Sequence, residues 1–267
     1  MPAPSPKPAP WLRSGPHRLV ILVGALTALS AGAYVLPGGS ILRRMTGGQD
    51  ESQPTSARVE GSFVFSGPAV KEAAAALNLP TERSELVADG AILLRTPGRC
   101  RFELAVPDGN KLAVVQAGSR RRVEGMEIPS LSAAMSQLCP LLAVRANSEH
   151  DLDTRDAVEQ HLQSLGISTR TTSLARFGGE VAYVLGDPDE GKPQFWVYKD
   201  AFRPARVRWK DKAGTAWDVR FIDYTSPATG EWMPRSIEVW REGQRTVRFT
   251  AIKSDTHVAL ADKLFAP

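Results

Sequence analysis

The sequence predicts a mainly β domain with helices, of the α+β class, built on a single curved antiparallel sheet. Short apolar or alternating runs recur along residues 57–267, and turn sequences such as Pro107-Asp108-Gly109-Asn110 end them. Helical periodicity is confined to a few short stretches, so helices do not alternate with strands as a parallel sheet requires. No segment rich in Pro, Gly and Ser divides residues 57–267, which are therefore predicted to be one domain.

The predicted strands lie on both sides of a helical middle region. The first group is a meander joined by short turns, over residues 57–66, 84–95, 99–106, 111–116 and 120–124. The second group covers residues 168–174, 181–185, 194–199, 205–210, 216–224, 235–241 and 246–253. Eleven or twelve strands in series suggest one strongly curved sheet with helices against its concave face.

Two helices are predicted in the middle region, and a short one is predicted between the first two strands. Apolar residues recur every three or four positions over residues 130–142, which predicts an amphipathic helix: Leu131, Ala134, Met135, Leu138, Leu141 and Leu142. Asp153 is a suitable N-cap for a second helix that ends at Gly166. Residues 71–79 can form a further short helix before Pro80.

Residues 1–37 are predicted to be a signal peptide or an N-terminal membrane anchor. A basic, Pro-rich start precedes Leu19–Leu36, which runs 18 residues without a charge. Ala31-Gly32-Ala33 supplies a small-x-small cleavage site, yet the apolar stretch is also long enough to remain as an anchor. Both outcomes predict export, with the domain either soluble or anchored to the inner membrane by residues 19–36.

Residues 38–56 are rich in Gly, Ser, Gln and charged residues and are predicted to be a flexible linker. The net charge of +4 belongs mostly to the segment before them, because Lys7, Arg13 and Arg18 occur there without an acid. The rest of the chain has 30 basic and 29 acidic residues. A nucleic-acid-binding domain would carry a basic excess over its folded surface, so the composition argues against a nucleic-acid partner.

No catalytic or metal-binding motif is present in the sequence. The four histidines, His17, His150, His161 and His257, lack metal-ligand spacing. There is no Gly-x-Ser-x-Gly elbow, His-Glu-x-x-His, phosphate loop or Cys-x-x-Cys. We therefore expect a protein that is not an enzyme and has no cofactor. A hydrolase whose catalytic residues are dispersed along the chain is the alternative.

Cys100 and Cys139 are the only cysteines. An exported compartment oxidises thiols, so we expect them to form a disulfide, with two separate buried thiols as the alternative. The bond would connect an early strand to the predicted helix over residues 130–142. If that helix is a lid, the disulfide would restrain its opening.

Four local motifs, in this order, resemble those of the LolA/LolB-like family of periplasmic lipoprotein carriers. The first two are Thr96–Glu103 (TPGRCRFE) and Gln116–Arg120 (QAGSR). The third is the hairpin Gln194–Asp200 (QFWVYKD) followed by Phe202–Val207 (FRPARV). The last is Val247-Arg248-Phe249 with the terminal Asp262–Pro267 (DKLFAP).

The resemblance implies a half-open β-barrel, lidded by helices, whose apolar hollow binds acyl chains without catalysis. It implies lipid or lipoprotein acyl chains, the cell-envelope membrane and the envelope lipoprotein-transport machinery as partners. In the family, an arginine of the early strand bonds to the lid and controls its opening; the matching residue is Arg101. Cys100, Phe102 and Ala117 depart from the family's pattern. A lipid or lipoprotein sensor or scaffold module, tethered by its N-terminal segment, is the alternative function.

Apolar residues of the strands and of the middle helix are candidates for lining the hollow. They are Phe63, Phe65, Phe102, Leu131, Met135, Leu138 and Trp196. Plain core packing is the alternative for each of them, as it is for Met126. Arg120-Arg121-Arg122 lies beside a turn, where it can contact anionic headgroups or an acidic partner, or form a solvated sheet edge.

Overall fold

A computed structural model of the chain describes residues 35–48, 54–107, 111–143 and 151–266. Residues 1–34, which hold most of the predicted export segment and its cleavage site, lie outside the described residues, as do His17 and His150. Within the described ranges, no helix is long and apolar enough to cross a membrane.

The described strands form one antiparallel sheet in the order β5-β4-β3-β2-β1-β12-β11-β10-β9-β8-β7-β6. The first five are β1 (Ser56–Ser66), β2 (Glu85–Arg95), β3 (Arg99–Ala105), β4 (Lys111–Ala117) and β5 (Arg120–Glu124). The others are β6 (Thr172–Phe177), β7 (Glu180–Gly186), β8 (Gln194–Tyr198), β9 (Pro204–Lys210), β10 (Ala216–Ile222), β11 (Ser236–Arg241) and β12 (Gln244–Asp255). Chain neighbours pair as hairpins, and only β1 with β12 joins the two halves. The sheet is open, with β5 and β6 as its free edges, so the predicted fold class is confirmed.

Four α-helices are described: α1 (Gly38–Gly48), α2 (Pro68–Leu77), α3 (Pro129–Leu142) and α4 (Asp151–Ser164). A short 3₁₀-helix, Asp262–Phe265, follows β12. α3 contacts strands from both halves of the sheet, namely β3, β4 and β9 to β12, so the sheet curves around it. Eleven of the fourteen residues of α3 are buried. This helix therefore packs into the concave face of the sheet.

Helix α1 lies within the segment predicted to be a flexible linker, and that prediction is wrong for residues 38–48. Ile41, Leu42 and Met45 are fully buried because their spacing places them on one face of the helix, which packs against α4. A Cβ atom at Gly38 would collide with the backbone carbonyl of Thr169, so glycine permits this close approach. Three apolar residues among Gly, Ser and Arg were too few to predict this packing from composition.

Gly61 of β1 lies directly opposite Gly90 of β2. The pairing of β1 with β12 is shifted by a bulge between Glu60 and Gly61. A Cβ atom on either glycine would collide with backbone and with an aromatic ring: that of Phe249 for Gly61 and that of Phe63 for Gly90. The two glycines therefore let the strands close around the aromatic core.

Candidate functional site

Six of the seven residues predicted to line an apolar hollow are fully buried in the core. They are Phe63, Phe65, Phe102, Leu131, Met135 and Leu138. The ring centroid of Phe63 lies 5.9 Å from that of Phe102 and 4.8 Å from that of Phe249. The side chains of α3 occupy the space between the halves of the sheet, so these six residues belong to the core.

Trp196 lies on the opposite, convex face of the sheet. Its neighbours Phe195 and Val197 are buried on the concave side, and strand alternation turns Trp196 outward. The Trp196 indole N–H donates to Oε1 of Gln194 at 3.1 Å. The guanidinium of Arg206 lies over the ring, 5.5 Å from its centroid. This placement corrects the expectation that Trp196 lines the hollow.

Arg101 also lies on the convex face, and it contacts the C-terminal segment instead of a lid helix. Its Nε donates to Glu103 at 2.7 Å, and one of its terminal nitrogens donates to Glu124 at 2.8 Å. A further hydrogen bond of 3.3 Å reaches the carbonyl of Leu264. The Arg101 guanidinium holds the pKa of Glu124 below its usual value. Arg101 thus connects β3 to β5 and to the C-terminal segment, and its hydrogen bonds in the described part of the chain do not reach α1 to α4.

The predicted disulfide between Cys100 and Cys139 is present in the structure. It joins β3 to α3 across 39 residues of sequence, with the two Cα atoms 5.7 Å apart. Both sulfur-bearing residues are buried. The disulfide therefore fixes α3 to the sheet.

Backbone hydrogen bonds reinforce this connection near the end of α3. The N–H of Gly98, in the β2–β3 turn, donates to the carbonyl of Ala143 at 2.9 Å. The N–H of Gly118, in the β4–β5 turn, donates to the carbonyl of Gly98 at 3.0 Å. Gly98 and Gly118 have φ of 65° and 59°, a left-handed conformation that favours glycine. Two hairpin turns and the C-terminal end of α3 thus form one hydrogen-bonded unit.

A groove of about 1040 Å³ lies between this unit and helix α4, and we call it the helix–hairpin groove. The hairpin turns contribute Pro97, Gly98, Gln116, Gly118, Ser119 and Arg121. Helix α3 and the residue after it contribute Ser136, Cys139, Pro140 and Ala143, and α4 contributes Thr154, Ala157, Val158, Gln160, His161 and Ser164. The surface that lines it is mostly apolar, with polar groups among the lining side chains. None of the seven apolar residues predicted to line a hollow is among those lining it.

His161 connects the two helical sides of the groove. Its Nε2 lies 3.0 Å from Oε1 of Gln137, a buried residue of α3. Because the amide oxygen accepts, we assign the proton to Nε2. Burial lowers the pKa of His161 to about 4, so the ring is neutral at neutral pH. No role was predicted for His161 from the sequence. The available signal was its position three residues after Val158 and four after Ala157, which places all three on one helix face.

The arginines at positions 120–122 belong to β5, a free edge of the sheet. Arg121 lines the helix–hairpin groove and donates to Glu127 at 3.0 Å, while Arg122 donates to Glu124 at 2.6 Å. All three arginines are exposed. They place positive charge beside the groove and along an edge that would otherwise pair with other strands.

A second depression, of about 740 Å³, lies on the convex face around Gly61 and Gly90. Its charged side chains are largely paired with one another, as Arg58 is with Glu60 and Glu103. Within the described part of the chain, no group of three His, Cys, Asp or Glu side chains is arranged to hold a metal ion.

The structure is similar to several solved structures, whereas no protein-family model and no curated protein matches the chain. A LolA superfamily protein from Nitrosomonas europaea matches at 13% identity with a TM-score of 0.47, covering 87% of this chain and 98% of that one. An outer membrane lipoprotein-sorting protein domain from Vibrio parahaemolyticus matches at 12% identity with a TM-score of 0.42, covering 85% of this chain and 95% of that one. The MucA/MucB complex of Pseudomonas aeruginosa matches at 18% identity with a TM-score of 0.28, covering 87% of this chain and 62% of the matched chain. All three likenesses are distant.

Proposed function

We propose that the protein binds lipids, or the acyl chains of lipoproteins, in the periplasm and transfers them without catalysing a reaction. The observation that supports this is the helix–hairpin groove, which offers about 1040 Å³ beside small and apolar side chains. Sites for small organic ligands are typically about 300–1,000 Å³ and mostly apolar. Each CH₂ group that leaves water for such a site contributes about 0.8 kcal/mol.

The two helical sides of the groove differ in how firmly they are held. α3 is buried, bonded to β3 through the disulfide, and hydrogen-bonded to the β2–β3 turn through Ala143. α4 meets α3 through the His161–Gln137 hydrogen bond and packs against α1 on another side. Widening the groove for an acyl chain therefore requires α4 to move, because α3 cannot move without disturbing the core.

Two features of the chain support an envelope location. The 18-residue uncharged stretch over residues 19–36 has the composition of an export or anchor segment. The disulfide requires an oxidising compartment, which the periplasm provides and the cytosol does not. The proposed location is therefore the periplasm, with the protein either soluble or anchored.

The test is to fill the groove with a side chain and to measure binding of a fluorescent fatty acid, dansyl-undecanoic acid. Ala157 is exposed on α4 and lines the groove, so Ala157→Trp should weaken binding by about tenfold or more. The matched control is Ala75→Trp, at an exposed alanine of α2 that does not line the groove. Equal affinities for the two variants, or no binding by the unaltered protein, would contradict the proposal.

A tethered sensor or scaffold module is the second candidate function, and the position of α1 favours it. α1 begins two residues after the end of the apolar stretch and packs against α4, which lines the groove. A ligand that moves α4 would thus act on the helix closest in sequence to a membrane anchor. Intact mass spectrometry of protein from the membrane fraction separates the two functions: a mass that includes residues 1–33 supports the module, whereas a shuttle must lose them.

A further inference from the structure

The convex face of strands β8 to β12 carries an unusual concentration of arginines. Directly opposed residues form a row across the sheet: Trp196, Arg206, Arg220, Glu238 and Arg248. A parallel row contains Gln194, Arg208, Asp218, Trp240 and Arg245. Opposed residues of a sheet share a face, so five arginines meet two carboxylates and leave an excess of three positive charges. We call these ten residues the arginine face.

Two tryptophans hold arginines of this face in fixed positions. The guanidinium of Arg220 lies 4.0 Å from the ring centroid of Trp240, and that of Arg206 lies 5.5 Å from the ring centroid of Trp196. Asp218 accepts hydrogen bonds from both arginines, at 2.5 Å from Arg206 and 2.9 Å from Arg220. Stacked and bonded guanidinium groups lose less conformational freedom when they bind an anion than free side chains do.

Arg208 forms no hydrogen bond or ion pair with a carboxylate in the described part of the chain, although the charges of Asp218 and Glu190 attract it from a distance. Asp218, which faces it on β10, has its oxygens occupied by Arg206 and Arg220. Gln194, which faces it on β8, accepts from Trp196 and donates to the carbonyls of Asp187 and Asp189. Partial burial, and then the charge of Arg206, lower the pKa of Arg208. An incoming anion would relieve this repulsion.

We propose that the arginine face is a docking surface for an acidic segment of a partner protein, with Arg208 as its principal contact. Arginine binds carboxylates bidentately, and Arg and Trp are the residues that contribute most often to binding energy in protein interfaces. A membrane surface is disfavoured because the tryptophan rings of this face are stacked against guanidinium groups. No free apolar group of this face is thus available to enter a bilayer.

The probe for this surface is a fluorescein-labelled peptide of ten glutamates, measured by anisotropy at about 50 mM salt. The unaltered protein should bind it, and Arg208→Gln should weaken binding by about tenfold. The matched control, Arg83→Gln, removes the same charge from an exposed loop position. Arg208→Lys should recover only part of the affinity, because lysine cannot form the bidentate contact.

A stability measurement separates docking from a structural role. In the free protein Arg206 and Arg220 repel Arg208 while Asp218 and Glu190 attract it, so Arg208→Gln should change the melting temperature little while it weakens binding. A lowered melting temperature would show that Arg208 supports the fold and would overturn the proposal.

The remaining outcomes of the binding experiment are equally decisive. Equal losses for Arg208→Gln and Arg83→Gln would overturn the proposal, and so would failure of the unaltered protein to bind the peptide. Vesicles containing phosphatidylglycerol form the last arm: preferential binding to them, lost in Arg208→Gln, would assign the surface to a membrane instead.

Discussion

The two faces of the sheet use different interactions, although the same strands form both. The concave face packs aromatic and aliphatic side chains around α3, and its largest members are fully buried. The convex face carries arginines, carboxylates and tryptophans that contact one another, and the C-terminal segment covers part of it. The concave face therefore supplies most of the stability, while the convex face and the helix–hairpin groove remain available for binding.

The largest effect should come from truncation in the concave core. Phe63→Ala removes a ring that contacts Phe102 and Phe249 and should lower the free energy of unfolding by about 4 kcal/mol. Val64→Ala changes the adjacent residue on the convex face and should lower it by less than about 1 kcal/mol. Urea unfolding of both variants measures the difference; similar losses would break the distinction between the faces.

The disulfide is expected to have the next largest effect. Replacing Cys100 and Cys139 together by Ser opens a loop of 39 residues and should lower the free energy of unfolding by about 3 kcal/mol. Affinity for dansyl-undecanoic acid at about 20 °C should change by less than about twofold, since core packing also holds α3. A large gain in affinity without the disulfide would show that it does restrain a lid.

On the convex face, Arg101→Gln should have a smaller effect. It removes the ion pairs with Glu103 and Glu124 and the hydrogen bond to Leu264, for a loss of about 1–2 kcal/mol. Hydrogen exchange should rise around the 3₁₀-helix, because Phe265 packs there against Ala91, Leu93 and Val115. Increased exchange confined to α4 would instead restore the lid-control role.

The smallest effect is the pH dependence of the contact between α3 and α4. The pKa of His161 is about 4 in the folded protein, below its usual value near 6.5, so unfolding takes up a proton between these values. The contribution of His161 to stability is complete above pH 6.5 and is lost as the pH falls toward 4, with about 1 kcal/mol lost by pH 6. His161→Gln should flatten this part of the profile in urea unfolding between pH 5 and 7; an unchanged slope would assign it to other groups.

The sequence was informative where periodicity is local. Turn residues and alternating apolar positions located the hairpins, and β5 (Arg120–Glu124) matches its prediction in full. Strand β6 was less well placed: it was predicted from residue 168 but begins at Thr172. Thr169 lies before the strand, buried beside α4, where its hydroxyl bonds to Glu159. Such a contact depends on a distant element and leaves no periodic signal.

The functional residues were harder to predict. The alternation along a strand sorts its side chains onto two faces of the sheet, but it does not show which face becomes the concave one. Along β3 the side chains alternate between the two faces of the sheet. Phe102 is therefore a core residue, whereas its neighbour Arg101 lies on the convex face. Trp196 was assigned to the wrong face for this reason. The helix–hairpin groove combines residues from two turns and two helices, and no spacing in the chain links Pro97 to Val158.

The sequence by itself determined the antiparallel architecture, the middle helices and the pairing of the two cysteines, because hydrophobic period, turn chemistry and cysteine number act locally or by count. Only the tertiary structure decided that α3 fills the sheet, that α1 packs onto the domain, and that a groove opens beside α4. These outcomes depend on how the sheet curves around α3, and the curvature is set jointly by strands far apart in the chain.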